Sequence, residues 1–265
     1  MNYILKHLKL IKPYFSIGLK IATEYKFQFI TNFLTYIVVA AIWIFLWSLM
    51  FSNIQEIGNW SLPMLIMMVG FFQVAEAIWQ FGFYTLGISR EIISGRVDKY
   101  LVRPINPLYG IIMEKFEIVA FLPLVMGLGI ILYANIKYLS LDLIKISLAL
   151  FTVMIGISIL QVIYSLLGIL TFWIGDSRGF QRLHRSTRVL NNFPLDIMNK
   201  VMTGVLMFLA PIIFFGTYPV LMVTNWPIST SLKIIALAFS ILIFWSIVLY
   251  FLWKRGIKKY ESMGG

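Results

Sequence analysis

Long apolar stretches alternate with short polar ones along the whole chain. A helix of about 20 apolar residues crosses the ~30 Å hydrocarbon core of a membrane. The pattern therefore predicts an all-α integral membrane protein with spans at residues 30–51, 62–86, 110–133, 146–174 and 234–253, and a further crossing within residues 175–223. Residues 1–29 mix lysines with apolar side chains at helical spacing, which predicts an amphipathic helix in the membrane interface or a cytoplasmic extension of the first span.

Two stretches compete for the remaining crossing. Residues 201–223 are apolar, so hydropathy alone makes them the span, but Pro211, Gly216 and Pro219 suit a broken, re-entrant helix better. Residues 178–195 carry apolar side chains at near-helical spacing together with four arginines. A helix of that kind is tolerated in a membrane only where its charges face water. Both choices give six crossings and place both termini on the same side.

Charge fixes the expected orientation. Charged residues make up 12% of the chain and hydrophobic ones 60%, which leaves no room for a separate soluble domain. Seventeen of the 22 lysines and arginines lie before the first span, within residues 88–107, within residues 178–188 or after the last span. Cations concentrate on the cytoplasmic side of membrane proteins, so we expect a multi-pass protein of the cytoplasmic membrane with both termini inside. Topology and anionic lipids then explain the net charge of +11 without nucleic acid.

Residues 88–107, ISREIISGRVDKYLVRPINP, form a polar stretch between two strongly apolar ones. Gly95 and Pro104 bracket a piece about two turns long, which predicts a short helix on the cytoplasmic membrane surface. Tyr100 and Leu101 favour a docking surface for a cytoplasmic partner, because a loop that only sets topology needs no aromatic or aliphatic side chains. The alternative is a solvated basic turn.

Polar side chains inside the predicted spans form the candidate substrate pathway. Three on one face of the second span either line a cavity or form hydrogen bonds between helices, and the arginines after the fourth span either line a vestibule for anions and lipids or form a surface helix. The candidate pathway residues are Gln73, Glu76, Gln80, Gln161, Arg182, Arg185 and Arg188.

No stretch of the sequence predicts catalysis in this chain. The phosphate-binding pattern G-x-x-x-x-G-K-[ST] is absent, cysteine is absent, and the two histidines, His7 and His184, lie far apart. We therefore expect a protein that is not an enzyme and that holds no metal or cofactor of its own.

Several segments in order resemble the membrane subunits of ABC-2-type ATP-binding-cassette exporters. They are IISGRVDKYLVRPINPLY, FWIGDSRG, NFPLDI followed by APIIFFGTYPVLMV, and WKRGIKKYESMG. The resemblance covers nearly the whole chain, and the branch that it most resembles groups permeases with viologen and drug exporters.

The resemblance implies a fold and a set of partners. It implies an N-terminal interfacial elbow helix, six spans, and a re-entrant extracellular helical pair before the last span, which makes residues 178–195 the fifth span and residues 196–223 the pair. It also implies a second permease, identical or a sister chain, and two copies of an ATPase that bind ATP and Mg²⁺. The cytoplasmic loop at residues 88–107 would couple to that ATPase through Arg90, Glu91, Gly95, Arg96, Asp98, Tyr100, Leu101 and Arg103.

The function implied is export by alternating access. The branch favours an amphiphilic small molecule or drug, such as an organic cation, and a lipid, glycan or peptide is the alternative within the same class. An ion-driven secondary transporter and a non-transporting membrane scaffold are the alternatives of another class. The loop would transmit ATP-driven movement to the second and third spans, which it connects.

Overall fold

A computed structural model of the protein describes residues 24, 26–54, 56–80, 88–102, 106–113, 120–138 and 141–260. The expected elbow helix falls almost entirely outside these residues, as does Arg103. The backbone at Arg185 and Arg188 is described, but their side chains lie outside the described part of the chain.

Within the described residues the chain is helical, and its extended pairing is confined to one isolated bridge between Ile57 and Trp60. The α-helices are α1 (Lys26–Met50), α2 (Leu62–Gln80), α3 (Ile88–Ile93), α4 (Asp98–Leu101), α5 (Pro107–Met113), α6 (Phe121–Tyr138), α7 (Leu143–Ile169), α8 (Thr171–Ile174), α9 (Arg178–Ser186), α10 (Lys200–Leu209), α11 (Thr217–Thr224) and α12 (Ile228–Gly256). Short 3₁₀ helices occur at Thr187–Asn192, Leu195–Ile197 and Ile212–Phe214.

Five of the described helices are long and apolar enough to cross a membrane: α1, α2, α6, α7 with α8, and α12. Some begin outside the limits that hydropathy gives. The side chain of Asp142 accepts hydrogen bonds from the backbone N–H groups of Ile144 and Lys145, so α7 begins at Leu143. The last span begins six residues earlier than expected, directly after Pro227, because its first turns are polar but still helical.

Within the third expected span, residues 110–133, two helices belong to the described part of the chain. A short helix, α5, ends at Met113, and the long helix α6 runs from Phe121 to Tyr138. Gly70 on α2 and Gly127 on α6 let these two helices cross closely, since a Cβ added at Gly127 would lie 2.6 Å from the Gly70 carbonyl oxygen. Small residues permit such backbone approach between membrane helices.

The bundle has two ends that differ in charge. We call the end that carries α3, α4 and Tyr260 the cationic end, because Arg90, Arg96 and the basic residues after α12 lie there. The opposite end, which carries Trp60 and the beginning of α2, is called the Trp60 end. The helices α2, α7 and α12 all run from the Trp60 end to the cationic end.

Helix α7 lies at the centre of the described fold. It packs against α2, α11 and α12 along its length and against α3 and α9 near the cationic end. Its close approach to the 3₁₀ helix Ile212–Phe214 depends on Gly156, where an added Cβ would lie 2.6 Å from the Cβ of Phe214. Toward the Trp60 end, the Thr152 hydroxyl lies 3.3 Å from the sulfur of Met222 on α11.

Between α8 and α12 the chain travels from one end of the bundle to the other. Gln181 lies against Gly168 and hence near Ile88, at the cationic end. Asp196 accepts a hydrogen bond from the Trp60 indole at 2.9 Å, at the Trp60 end. Residues 178–192 lie between these two ends of the bundle and are helical throughout. We call them the polar segment. Nine α-helical and six 3₁₀ residues span about 25 Å, which approaches the thickness of the hydrocarbon core.

The apolar residues after the polar segment form a bent pair. Helices α10 and α11, with the short 3₁₀ helix between them, meet at 86°. The pair begins near Leu195, whose backbone N–H donates to the Thr217 hydroxyl at 3.0 Å. It returns to the Trp60 end, where the Tyr218 ring packs against Trp226 at an angle of 53°. In its middle, the Trp245 indole of α12 donates to the Phe208 carbonyl at 2.9 Å, so α10 dips into the bundle.

Candidate coupling site and membrane pathway

The loop at the cationic end folds as two short helices joined by a glycine turn. Helix α3 ends at Ile93 and α4 begins at Asp98, and Gly95 between them has φ +68°, a conformation that glycine adopts without strain. Arg96 donates two hydrogen bonds to the buried Glu91 carboxylate, at 2.8 and 2.9 Å. This paired fork fixes the turn, because a bidentate arginine–carboxylate contact defines both distance and orientation.

One side of this loop is buried in an apolar cluster. Its fully buried members include Ile88, Val97 and Tyr100, which pack with Ile169 at the end of α7. Phe172 and several residues at the end of α12, all partly buried, complete the cluster. The Tyr100 side chain has no exposed surface in this structure, so it anchors the loop to the bundle.

The other side of the loop exposes apolar side chains. Ile93 is 37% exposed, Leu101 is 44% exposed and Val102 is 84% exposed, and the exposed Arg90 lies on the same loop. Val102 was not singled out by the sequence pattern, because a valine beside Leu101 reads as part of the same short apolar run. The predicted docking residues thus divide into buried anchors, Glu91 and Tyr100, and exposed ones, Arg90 and Leu101.

A chain of buried hydroxyl groups ties the loop to the helices behind it. The Thr171 hydroxyl on α8 donates to the Ser89 hydroxyl on α3 at 2.7 Å, and it lies 2.8 Å from the Ser177 hydroxyl. All three side chains are buried. Ser177 immediately precedes α9, so the beginning of the polar segment is fastened to the loop.

The C-terminal end of the chain also holds the loop. The Tyr260 hydroxyl donates to the Gly95 carbonyl oxygen at 2.9 Å, and the Tyr260 ring contacts Phe172 edge-on. Burial, together with the nearby Asp98, raises the pKa of Tyr260 to about 12. The hydroxyl is therefore a donor throughout the physiological pH range. The sequence gives no signal for this contact, because 165 residues separate its partners.

The polar residues predicted on the second span lie together, but they face α1. The Tyr36 hydroxyl and the Gln80 amide are within 2.7 Å, Gln73 donates to the Tyr36 carbonyl at 3.2 Å, and Gln80 donates to Glu76 at 3.2 Å. This geometry supports the interhelical hydrogen-bonding alternative. It separates these residues from Gln161 and Arg182, so the structure does not gather the predicted pathway residues at one site.

A second set of polar residues lies on the polar segment or close to it. Arg178 forms a fork with Asp176 at 2.7 and 2.9 Å, which lowers the pKa of that carboxyl to about 2, and Arg182 is exposed. Gln181 and Asn191 are buried, as is Gln161 on α7. The sequence pattern did not single out Gln181 and Asn191, because an amide next to an arginine in a basic stretch reads as part of a solvated surface.

The described residues contain no group of three or more His, Asp or Glu side chains that could hold a metal ion. Nothing in their geometry pairs a nucleophile with a base.

Comparison with curated proteins and with solved structures finds no match. The family described as ABC-2 family transporter protein matches residues 37–264, which is most of the chain. The membrane-spanning helices and all-α fold agree with that match. ABC-2 permeases are membrane components of transporters and generally work with an ATP-binding-cassette ATPase. The chain, a multi-pass membrane protein, belongs to the ABC-2 transporter family.

Proposed function

We propose that this chain is the permease subunit of an ATP-driven exporter in the cytoplasmic membrane, with its cationic end in the cytoplasm. The loop made by α3 and α4 is the docking surface for a separate ATPase. The observation that carries this proposal is the two-sided build of the loop: Tyr100 is fully buried, whereas Val102 is 84% exposed. A loop that only marked topology would need neither a buried anchor nor exposed apolar side chains.

The contacts of the loop indicate which helices would move with it when the ATPase changes conformation. Helix α3 packs on α7 and α8, and Tyr260 links the turn at Gly95 to the end of α12. The expected route through the second and third spans is therefore supplemented by a direct one through α7 and α12. Because α7 also contacts the bent pair, rigid-body tilting of α7 would move that pair at the Trp60 end.

The polar segment serves as the fifth crossing in this account, and α10 with α11 forms the re-entrant pair. The contacts at its two ends support this choice, because Gln181 lies near Ile88 at the cationic end and Asp196 lies against Trp60 at the opposite end. Arg178 and Arg182 are exposed on the open face of α9 in the single chain. An arginine facing hydrocarbon costs about 3 kcal/mol on insertion scales. A second permease placed against this face would enclose a watery route instead.

The transported molecule is amphiphilic in this proposal, and ATP with Mg²⁺ is bound by two ATPase subunits. The bundle is apolar, and one polar segment crosses it. This supports an amphiphilic substrate, because its apolar part would contact the bundle and its polar part would contact the polar segment.

The test is co-purification of the tagged full chain from its native membrane in mild detergent. We expect an ATP-binding-cassette ATPase in near-stoichiometric amount. The double variant Leu101→Asp, Val102→Asp should reduce its recovery at least tenfold, because charges would enter an apolar contact.

The matched control is Ile54→Asp, which places a charge on an exposed aliphatic residue at the Trp60 end. It should leave recovery of the ATPase unchanged. Recovery of no ATPase with the unaltered chain, or full recovery with the double variant, would refute the proposal.

A further inference from the structure

Four buried amide side chains carry polar atoms without a partner among the described residues: Asn135 lies on α6, and the other three lie on α7 or on the polar segment. Gln161, Gln181 and Asn191 are each 4% exposed. Among the described residues, Gln161 Nε2, Gln181 Nε2 and both amide atoms of Asn191 have no hydrogen-bond partner. A buried polar group without a partner destabilises the fold, because it has lost its hydrogen bonds to water. Three such residues indicate an interface built to contact something polar.

These amides lie on α7 and on the polar segment, whose first helix, α9, packs against α7 and whose 3₁₀ helix packs against α2 and against Ile212–Phe214. Gln181 Nε2 lies against Gly168 on α7, where an added Cβ would be 3.2 Å away. Gln161 is seven residues before Gly168 and therefore on the same face of α7. Asn191 lies further toward the Trp60 end, where its backbone carbonyl oxygen is near Gly216. We call the region marked by these three side chains the amide seam.

Charge and hydrogen-bonding capacity define what the seam would bind. Residues 175–192 contain four arginines and one aspartate, a net charge of +3, and Asp176 is already paired with Arg178. Gln161, Gln181 and Asn191 together have four unpartnered atoms, and three of these four are amide nitrogens that donate N–H groups. A cation would meet repulsion and few acceptors here, whereas an anionic group with several oxygen acceptors would satisfy both features.

We propose that the amide seam opens during transport and receives the anionic, acceptor-rich head group of the transported amphiphile, of phosphate, carboxylate or sulfonate chemistry. This inference rests on the proposed function and deepens it by giving the substrate class. It differs from the organic cation that the branch resemblance favours. Glu76, which would attract a cation, lies on the α1 side of α2 with Tyr36 and Gln80, away from the seam.

The test uses charge-selective labelling of single cysteines, which is clean because the chain contains no cysteine of its own. The full chain, in native membrane vesicles, carries Gln161→Cys, Gln181→Cys or Asn191→Cys. Each variant is treated with an anionic sulfonatoethyl and a cationic trimethylammonioethyl methanethiosulfonate reagent. We expect all three positions to react, and the anionic reagent to react about tenfold faster after correction for its rate with a free thiol.

Two controls distinguish opening at the amide seam from general mobility of the helix bundle. Ile159→Cys lies on α7 in a fully buried apolar environment and should stay unreactive with both reagents. Neutralising the exposed Arg182 with Arg182→Gln should lower the anion preference at Gln181→Cys several-fold, whereas Lys137→Gln, at the Trp60 end, should not. Because Arg182 and Lys137 are exposed, neither change disturbs the core.

Unreactive seam positions, or a preference for the cationic reagent, would overturn the inference. An ATPase that co-purifies with a chain whose seam is unreactive would leave the proposed function standing and remove only the substrate class. A reactive, anion-selective seam in a chain that recovers no ATPase would do the opposite.

Discussion

At the scale of single residues, the connection between the loop and the rest of the molecule depends on a few polar contacts. The Tyr260 hydroxyl and the backbone N–H of Asp98 both donate to the Gly95 carbonyl oxygen. That oxygen therefore holds the turn between α3 and α4 and fastens it to the residues after α12.

Removing the Tyr260 hydroxyl with Tyr260→Phe should loosen this turn by about 1 kcal/mol, the usual net value of one hydrogen bond. Hydrogen exchange at the Asp98 amide should become roughly fivefold faster. Tyr250→Phe, an exposed tyrosine on α12, is the control and should have no effect on that amide.

The same contact has a defined pH dependence. The pKa of Tyr260 is raised to about 12 from an ordinary value near 10, so the folded protein holds this proton more tightly than the unfolded chain. Its contribution is fully present below about pH 10 and is lost as the pH rises toward 12. Unchanged exchange in Tyr260→Phe at neutral pH would show that the aromatic packing alone holds the tail.

At the scale of helices, packing in the membrane depends on where glycines meet. Gly70 and Gly127 lie at the crossing of α2 and α6, and a Cβ added at Gly70 would lie 2.8 Å from Ile131 and 2.9 Å from the Gly127 carbonyl. Gly129, on α6 only two residues further, has open space around its Cα.

Gly70→Ala should force these helices apart and destabilise the protein by about 1–3 kcal/mol, the range for overpacking a close contact. Gly129→Ala should be neutral or slightly stabilising, because alanine favours a helix over glycine. Thermal unfolding in one detergent measures both. Equal midpoints for the two variants would mean that the α2–α6 crossing is looser than the structure shows.

The same scale shows what the sequence could predict about elements. Apolar length predicted the long helices, and Gly95 with Pro104 predicted one short helix, which corresponds to α4, whereas α3, before Gly95, was not predicted. The beginning of α12 was predicted six residues late, because hydropathy averages over Ser229, Thr230 and Lys233, although a helix tolerates them at its first turns. The side-chain roles in the loop were less accessible, since only tertiary packing decides that Tyr100 points inward and Val102 outward.

At the scale of the whole molecule, the account depends on which stretch makes the crossing between α8 and α12. Because of the arginines within residues 178–188, hydropathy does not predict a span there. Hydropathy also contains no information that Gln181 and Asp196 lie at opposite ends of the bundle. Contacts between distant parts of the chain carry that information. The resemblance to ABC-2 permeases implies a crossing at residues 178–195 from a pattern of motifs, and that assignment stays a prediction.

The most direct test is the side of the membrane on which Lys200 lies. In this account the polar segment crosses, so Lys200 at the beginning of α10 faces outside. If α10 and α11 were instead the span, Lys200 would face the cytoplasm. A Lys200→Cys variant of this cysteine-free chain, treated in intact cells with a membrane-impermeant maleimide, distinguishes the two arrangements.

Ile54→Cys and Lys258→Cys serve as references for the outer and inner sides. We predict that Lys200→Cys and Ile54→Cys are labelled in intact cells, and that Lys258→Cys is labelled only after the membrane is opened. Labelling of Lys200→Cys only in opened membranes, together with Lys258→Cys, would contradict the account and make residues 201–223 the fifth span.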